Sequence, residues 1–181
     1  MKYGNINAKG LVKPAWQEIY KTTMLTTVNS ISISGLNGDT DILYRVSMRG
    51  VNPNTANSIT LLRLNNDSTA DIYGVQYMTG NSTSVDVGRY TDTGITNCAF
   101  GTNDGIVGKS IILIYAKSGY IRPVIVDKVD KIGGAWVVQY LDQMGYAYND
   151  TTNNITSMTI NASQAGAIGI GTYVCLERLN L

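Results

Sequence analysis

Ser110-Ile111-Ile112-Leu113-Ile114-Tyr115-Ala116-Lys117-Ser118-Gly119-Tyr120-Ile121-Arg122-Pro123-Val124-Ile125-Val126 is the stretch on which the fold turns. Ser110–Tyr115 and Tyr120–Val126 are short runs rich in aliphatic and aromatic residues. They are joined across Lys117-Ser118-Gly119, where glycine supplies the left-handed residue such a loop needs. The pattern predicts an antiparallel hairpin. Pro123 cannot donate to a ladder, so the second strand is expected at a sheet edge or with a bulge.

Both faces of these strands are apolar. Ile111, Leu113 and Tyr115 oppose Ile112 and Ile114, and in Ala135–Leu141 the side chains of Trp136, Val138 and Tyr140 oppose Val137 and Leu141. An antiparallel sheet usually keeps one face for water. A second apolar face therefore calls for another layer, either a neighbouring copy of the chain or the first 20 or so residues folded back over it.

Working outward, the hydrophobic period from Thr22 is two. Gly, Asn, Asp and Ser clusters punctuate it every ~8 to 15 residues, which predicts an all-β sandwich of about nine or ten strands. Val28–Ser34 alternates and stops at Gly35. Asn37-Gly38 reads as a type I′ hairpin turn, with the return strand Ile42–Met48 placing Ile42, Tyr44, Val46 and Met48 on one face. Ser58–Leu64, Ile72–Met78, Val85–Tyr90, Ile95–Phe100, Ile155–Asn161 and Ile168–Leu179 read as further strands. Gly50–Asn57, Gly80–Arg89 and Gly101–Gly108 contain the expected outward loops.

Residues 1–21 differ in character and are set apart from the 22–181 domain as an N-terminal arm or anchor. Lys2, Lys9, Lys13 and Lys21 make the arm basic, and Pro14–Tyr20 shows no strand alternation, so it is expected to form one or two helical turns with Pro at the first position. No apolar stretch of signal-peptide type follows Met1, so the chain is expected to be made and kept in a cytosol. No window reaches the roughly 20 apolar residues of a membrane span.

The chemistry available is sparse. Histidine is absent and Glu18 and Glu177 are the only glutamates, which removes the usual general base and metal ligands. No enzyme activity, cofactor or metal is expected. Lys plus Arg number 14 against 13 Asp plus Glu, too even a balance for a nucleic-acid surface. Asp39, Asp41, Asp67, Asp71, Asp104 and Asp150 fall in turn-like segments, where aspartate mostly caps its own backbone. The loops at 37–41 and 65–67 offer hard oxygens of the kind calcium uses, but too few. Cys98 and Cys175 read as buried thiols, with a disulfide left open. With 12 Tyr and two Trp, the candidate ligand-binding residues are Trp136, Tyr140, Tyr146 and Tyr148, aromatic faces suited to a host surface glycan or a subunit interface.

Ser34-Gly35-Leu36-Asn37-Gly38-Asp39-Thr40-Asp41 with Tyr44, then Leu62-Arg63-Leu64-Asn65-Asn66-Asp67 with Tyr73, and finally Gly169-Ile170-Gly171 with Leu176-Glu177-Arg178-Leu179 resemble the jelly-roll domain of tailed-bacteriophage virion proteins. The likeness spans about residues 22–181, though the middle turn lacks the family's glycine. The resemblance implies a two-sheet jelly roll, commonly a trimer, carried on a virion as a head decoration, head fibre or tail appendage. Its expected partners are its own copies and, through the N-terminal arm, a capsid or tail protein.

Overall fold

The computed structural model describes residues 15–54, 56–81, 83–100, 106–130 and 140–180. They form twelve strands and one short helix: β1 (Ala15–Thr23), β2 (Ser30–Ser34), α1 (Gly38–Asp41), β3 (Leu43–Asn52), β4 (Ser58–Leu64), β5 (Tyr73–Gly80), β6 (Val85–Asp92), β7 (Ile95–Phe100), β8 (Ile106–Tyr115), β9 (Arg122–Asp130), β10 (Tyr140–Tyr148), β11 (Ser157–Ala162) and β12 (Tyr173–Asn180). A large sheet runs β1-β12-β3-β8-β9-β10-β5-β6 and a small one β2-β11-β4-β7. Every pairing is antiparallel.

Setting aside β5–β6 and β9–β10, eight strands remain. The large sheet then runs first, eighth, third, sixth, and the small one second, seventh, fourth, fifth, which is the strand order of a jelly roll. The two remaining pairs are hairpins that widen the large sheet from four strands to eight.

The core lies between the sheets and follows directly from period-two alternation. Tyr44, Val46, Ile112, Ile114, Val124, Val126, Val174 and Leu176 point inward from the large sheet, against Ile31, Ile33, Leu62, Leu64, Met158 and Ile160.

The predicted β8–β9 hairpin forms, with Gly119 at φ +87°. Its proline does not mark an edge, however: β9 lies between β8 and β10. Pro123 is tolerated because the ladder with β8 ends at Ile114–Val124, one residue short of it, and Pro near a strand start forfeits little.

Asn37-Gly38 is not a hairpin turn. β2 and β3 belong to different sheets, and the chain crosses between them through α1. Asn37, at φ −139°, caps this turn by accepting from the Thr40 N–H at 3.3 Å, and the left-handed residue is Ile42 at φ 64°. Gly38 is needed for close approach: a Cβ there would sit 2.9 Å from both the Cβ and the carbonyl oxygen of Ala116. A type I′ turn does occur at 65–66. Asn65 and Asn66 have φ 53° and 55°, and Asp67 N–H donates to the Leu64 carbonyl at 2.9 Å. Asparagine tolerates this conformation better than other non-glycine residues, which accounts for the missing glycine.

The expected helical turns at Pro14–Tyr20 are also corrected. From Ala15 the chain is strand, paired with β12 through a bulge at Ile19, and it runs straight through the expected arm boundary at residue 21. Trp16 lies under the Arg45 guanidinium, 4.3 Å from ring centroid to Cζ. Arg45 in turn pairs with Glu177 at 2.7 Å. Residues 1–14 lie outside the described residues. Cys175 is buried and free, and the Cys98 side chain lies outside what is described.

Of the two strands read as apolar on both faces, residues 135–139 lie outside the described residues, and β8 and its neighbours do present apolar side chains on the outer face. Leu113 stands opposite Ile125 and Val129 opposite Leu141. Ile125 and Leu141 are 48% and 56% exposed, and Ile111 is also exposed. Farther along the same face Met78 pairs with Val87. Gly145 and Gly74 leave open space where a Cβ would stand, so the face dips between β9 and β5. β1 is an edge strand rather than a cover for this surface.

Candidate functional site

The inward face of β9 reads Arg122, Val124, Val126, Lys128, Asp130: apolar in the middle and charged at both ends. Each end of the sandwich consequently carries a buried polar cluster. The one beside the β8–β9 turn opens into a cleft of about 600 Å³ lined by Asn65, Asp67, Tyr148, Asp150, Asn153, Asn154 and Thr156.

Tyr148 is the wall of this cleft. Its ring stacks on Tyr73 with centroids 4.9 Å apart and carries the Arg122 guanidinium 5.6 Å away on Cζ. Its hydroxyl lies 3.3 Å from Asp67 Oδ2 and 3.4 Å from Asp150 Oδ2 and can donate to one at a time. Arg122 is buried and donates to the carbonyls of Lys117, Asp150 and Asn153.

The rim is knitted by amide side chains. Asn154 Nδ2 donates to Asn37 Oδ1 at 3.0 Å, and Asn65 Nδ2 donates to the Asn154 carbonyl at 2.9 Å. Asn65 Oδ1 accepts from the Thr156 N–H at 2.8 Å.

Asp150 closes its own loop, accepting from Thr152 N–H at 3.0 Å, Asn153 N–H at 3.1 Å and Asn153 Nδ2 at 2.9 Å. Burial works to raise its pKa, but these donors outweigh it and hold the carboxyl down at about 2. A depressed acid stabilises the fold above its unfolded value of about 3.9. We therefore expect the loop's contribution to be complete above about pH 4 and to fade as pH falls through about 2. Carbon-13 NMR of the Asp150 carboxyl should show that midpoint, and Asp150→Ala should remove this pH dependence from unfolding curves. A midpoint near the ordinary aspartate value would refute the assignment.

The candidate aromatic residues do not form one platform. Tyr140, Tyr146 and Tyr148 share the inward face of β10, but the first and last are eight residues, or about 27 Å, apart along the strand. Tyr146 is buried, accepting from the Thr96 N–H at 3.1 Å and donating to Met144 Sδ at 3.3 Å. Tyr140 is half-buried at the far end, opposite Asp130. Trp136 lies outside the described residues. Of the four, Tyr148 alone is placed in the cleft. Arg122, its main support, carried no signal in the sequence beyond its parity on β9.

At the opposite end Lys128 lies between two acids, with Nζ 2.9 Å from Asp130 Oδ2 and 2.7 Å from Asp142 Oδ2. Burial works to discharge Lys128, but the two carboxylates outweigh it and raise its pKa.

Among the described residues no group of three or more His, Cys, Asp or Glu side chains is placed to hold a metal ion. Among the same residues no helix is long and apolar enough to cross a membrane. The chain matches no protein-family model, and comparison with curated proteins and with solved structures returns no match.

Proposed function

We propose that the chain is a structural, non-enzymatic component of a bacteriophage particle, made in the host cytoplasm and displayed as an oligomeric capsid decoration, head fibre or tail appendage. The observation that carries this reading is the outer face of the eight-stranded sheet, where Ile111, Leu113, Ile125 and Leu141 are apolar and three of them exposed. Sister copies are the cover that best suits it, a trimer being the arrangement that the family resemblance implies. Covering apolar surface stabilises assembly by about 25 cal/mol per Å², so burying these side chains between copies favours an oligomer, with the exposed Asp127 opposite Ile111 as the polar group such a contact would have to satisfy. Residues ahead of Ala15 would anchor the assembly to capsid or tail.

Immunogold labelling of purified particles from the producing host tests the placement. Gold at regular positions on heads or tails is the expected result, and unlabelled particles alongside abundant free protein would overturn the reading.

The cleft at Tyr148 favours a second reading, a carbohydrate-binding or host-receptor-binding module of a tail tip. Its amide, carboxylate and hydroxyl lining offers the donors and acceptors that sugar hydroxyls use. Glycan-array binding that disappears in Asn153→Ala would support it. Binding that survives would place any glycan elsewhere.

A further inference from the structure

Side-chain size changes along one line of the large sheet's outer face, the line between β9 and β10. Three rows of cross-strand partners show it: Leu113–Ile125–Gly145–Gln76, Pro123–Ala147–Gly74 and Ile111–Asp127–Gln143–Met78. On the β8–β9 side the first two rows carry branched or cyclic side chains. On the β10–β5 side they carry Gly145, Ala147 and Gly74, and a Cβ at either glycine would meet nothing within 4 Å. A ridge and a dip thus lie side by side, about 10 Å apart.

We propose that two copies of the chain pack outer face to outer face, about a two-fold axis that runs parallel to the strands above the line between β9 and β10. This operation lays β9 on β10 of the second copy and β8 on its β5, with every residue kept in its own row. Ile125 then sits over Gly145, Pro123 over Ala147 and Ile111 against Met78, and each contact occurs twice. Asp127 meets Gln143, whose side-chain amide can donate to the carboxylate. An axis set across the strands would lay ridge on ridge. The like charges brought together, Arg45 and Arg89, lie at the rim, where salt screens them and Glu177 already holds Arg45.

The face is wide enough. The strands from β3 to β6 in sheet order number six, and β6 is eight residues long. At about 4.8 Å per strand and about 3.4 Å per residue they span roughly 780 Å² per copy, close to the ~800 Å² that each partner of a stable complex buries. This inference rests on the reading that sister copies cover the face. It adds their orientation, and it closes the contact with two copies where the family resemblance implies three.

Photo-cross-linking of the full chain tests it. A benzophenone side chain in place of Met78, in a mixture of nitrogen-14 and nitrogen-15 chains, should link to the 109–113 segment of the other copy. Within one chain Ile111 is three strands from Met78, about 14 Å, and the isotope pattern of the joined peptides separates the two cases. Sedimentation should give twice the 19.6 kDa of the chain. Gly145 lies outside the left-handed region, so Gly145→Leu fills the dip without backbone strain and should raise the dissociation constant about a hundredfold. A trimer, links from position 78 to a strand other than β8, or an unchanged dissociation constant in Gly145→Leu would overturn this packing and leave the assembly reading standing. A monomeric parent chain would overturn both.

Discussion

Replacing Arg122 by methionine is expected to lower the unfolding free energy by about 2–4 kcal/mol. Methionine keeps the aliphatic stem and much of the volume but removes every donor. The carbonyls of Lys117, Asp150 and Asn153 then lose their partner. Lys117 and Asn153 are exposed residues whose carbonyls can turn to water, so the loss amounts to about one acceptor shut off from it, at about 1–3 kcal/mol. Tyr148 also loses the cation over its ring, worth roughly 1 kcal/mol. Urea titration should show a lower midpoint with an unchanged slope. A midpoint equal to that of the parent chain would mean that Arg122 is not what ties the β8–β9 turn to the loop at 150–153.

The second large effect concerns assembly. The double variant Ile125→Lys/Leu141→Lys should sediment as a monomer of 19.6 kDa, whereas the parent chain should remain oligomeric on dilution. Two ammoniums set beside the single Asp127 of this face and buried against a sister copy carrying the same charges cost several kcal/mol, and each ~1.4 kcal/mol is a tenfold change in dissociation constant. The contact is thereby weakened at least about a thousandfold. The fold itself should barely respond, because both positions are about half exposed in the isolated chain and substitutions at such positions usually shift stability by only about 0.5 kcal/mol. A parent chain that is already monomeric at nanomolar concentration would sink the interface.

Much of this architecture was legible because alternation is strict where a strand has one wet and one dry side. Ser58–Leu64 was read to the residue, and the β8–β9 hairpin was given by its glycine and two apolar runs. What escaped reading was decided by distant partners. Asn37-Gly38 carries a strong local hairpin signal, yet the strands on either side find their mates elsewhere, at β11 for one and at β12 and β8 for the other. β1 has little alternation of its own and is a strand because β12 offers it an edge.

The candidate cleft was half legible. Tyr148 was singled out for its ring, whereas Asp67 and Asp150 were read as turn caps, and both do bind their own loops. Lys128 and Asp130 escaped, because the expected strand ended at Val126; β9 runs on to Asp130, and its alternation then puts both on the dry side with Val124 and Val126, where residue type alone suggests no charge.

The pairing of β1 with β12 has a consequence for synthesis on the ribosome. The first described strand hydrogen-bonds to no other element of its sheet, so the emerging polypeptide holds Ala15–Thr23 without a mate until residues beyond 173 have been translated. β2 waits in the same way for β11. A chain stalled before that point exposes unsatisfied strand edges, the condition under which nascent β proteins aggregate, and completion of both layers becomes a late, nearly simultaneous event.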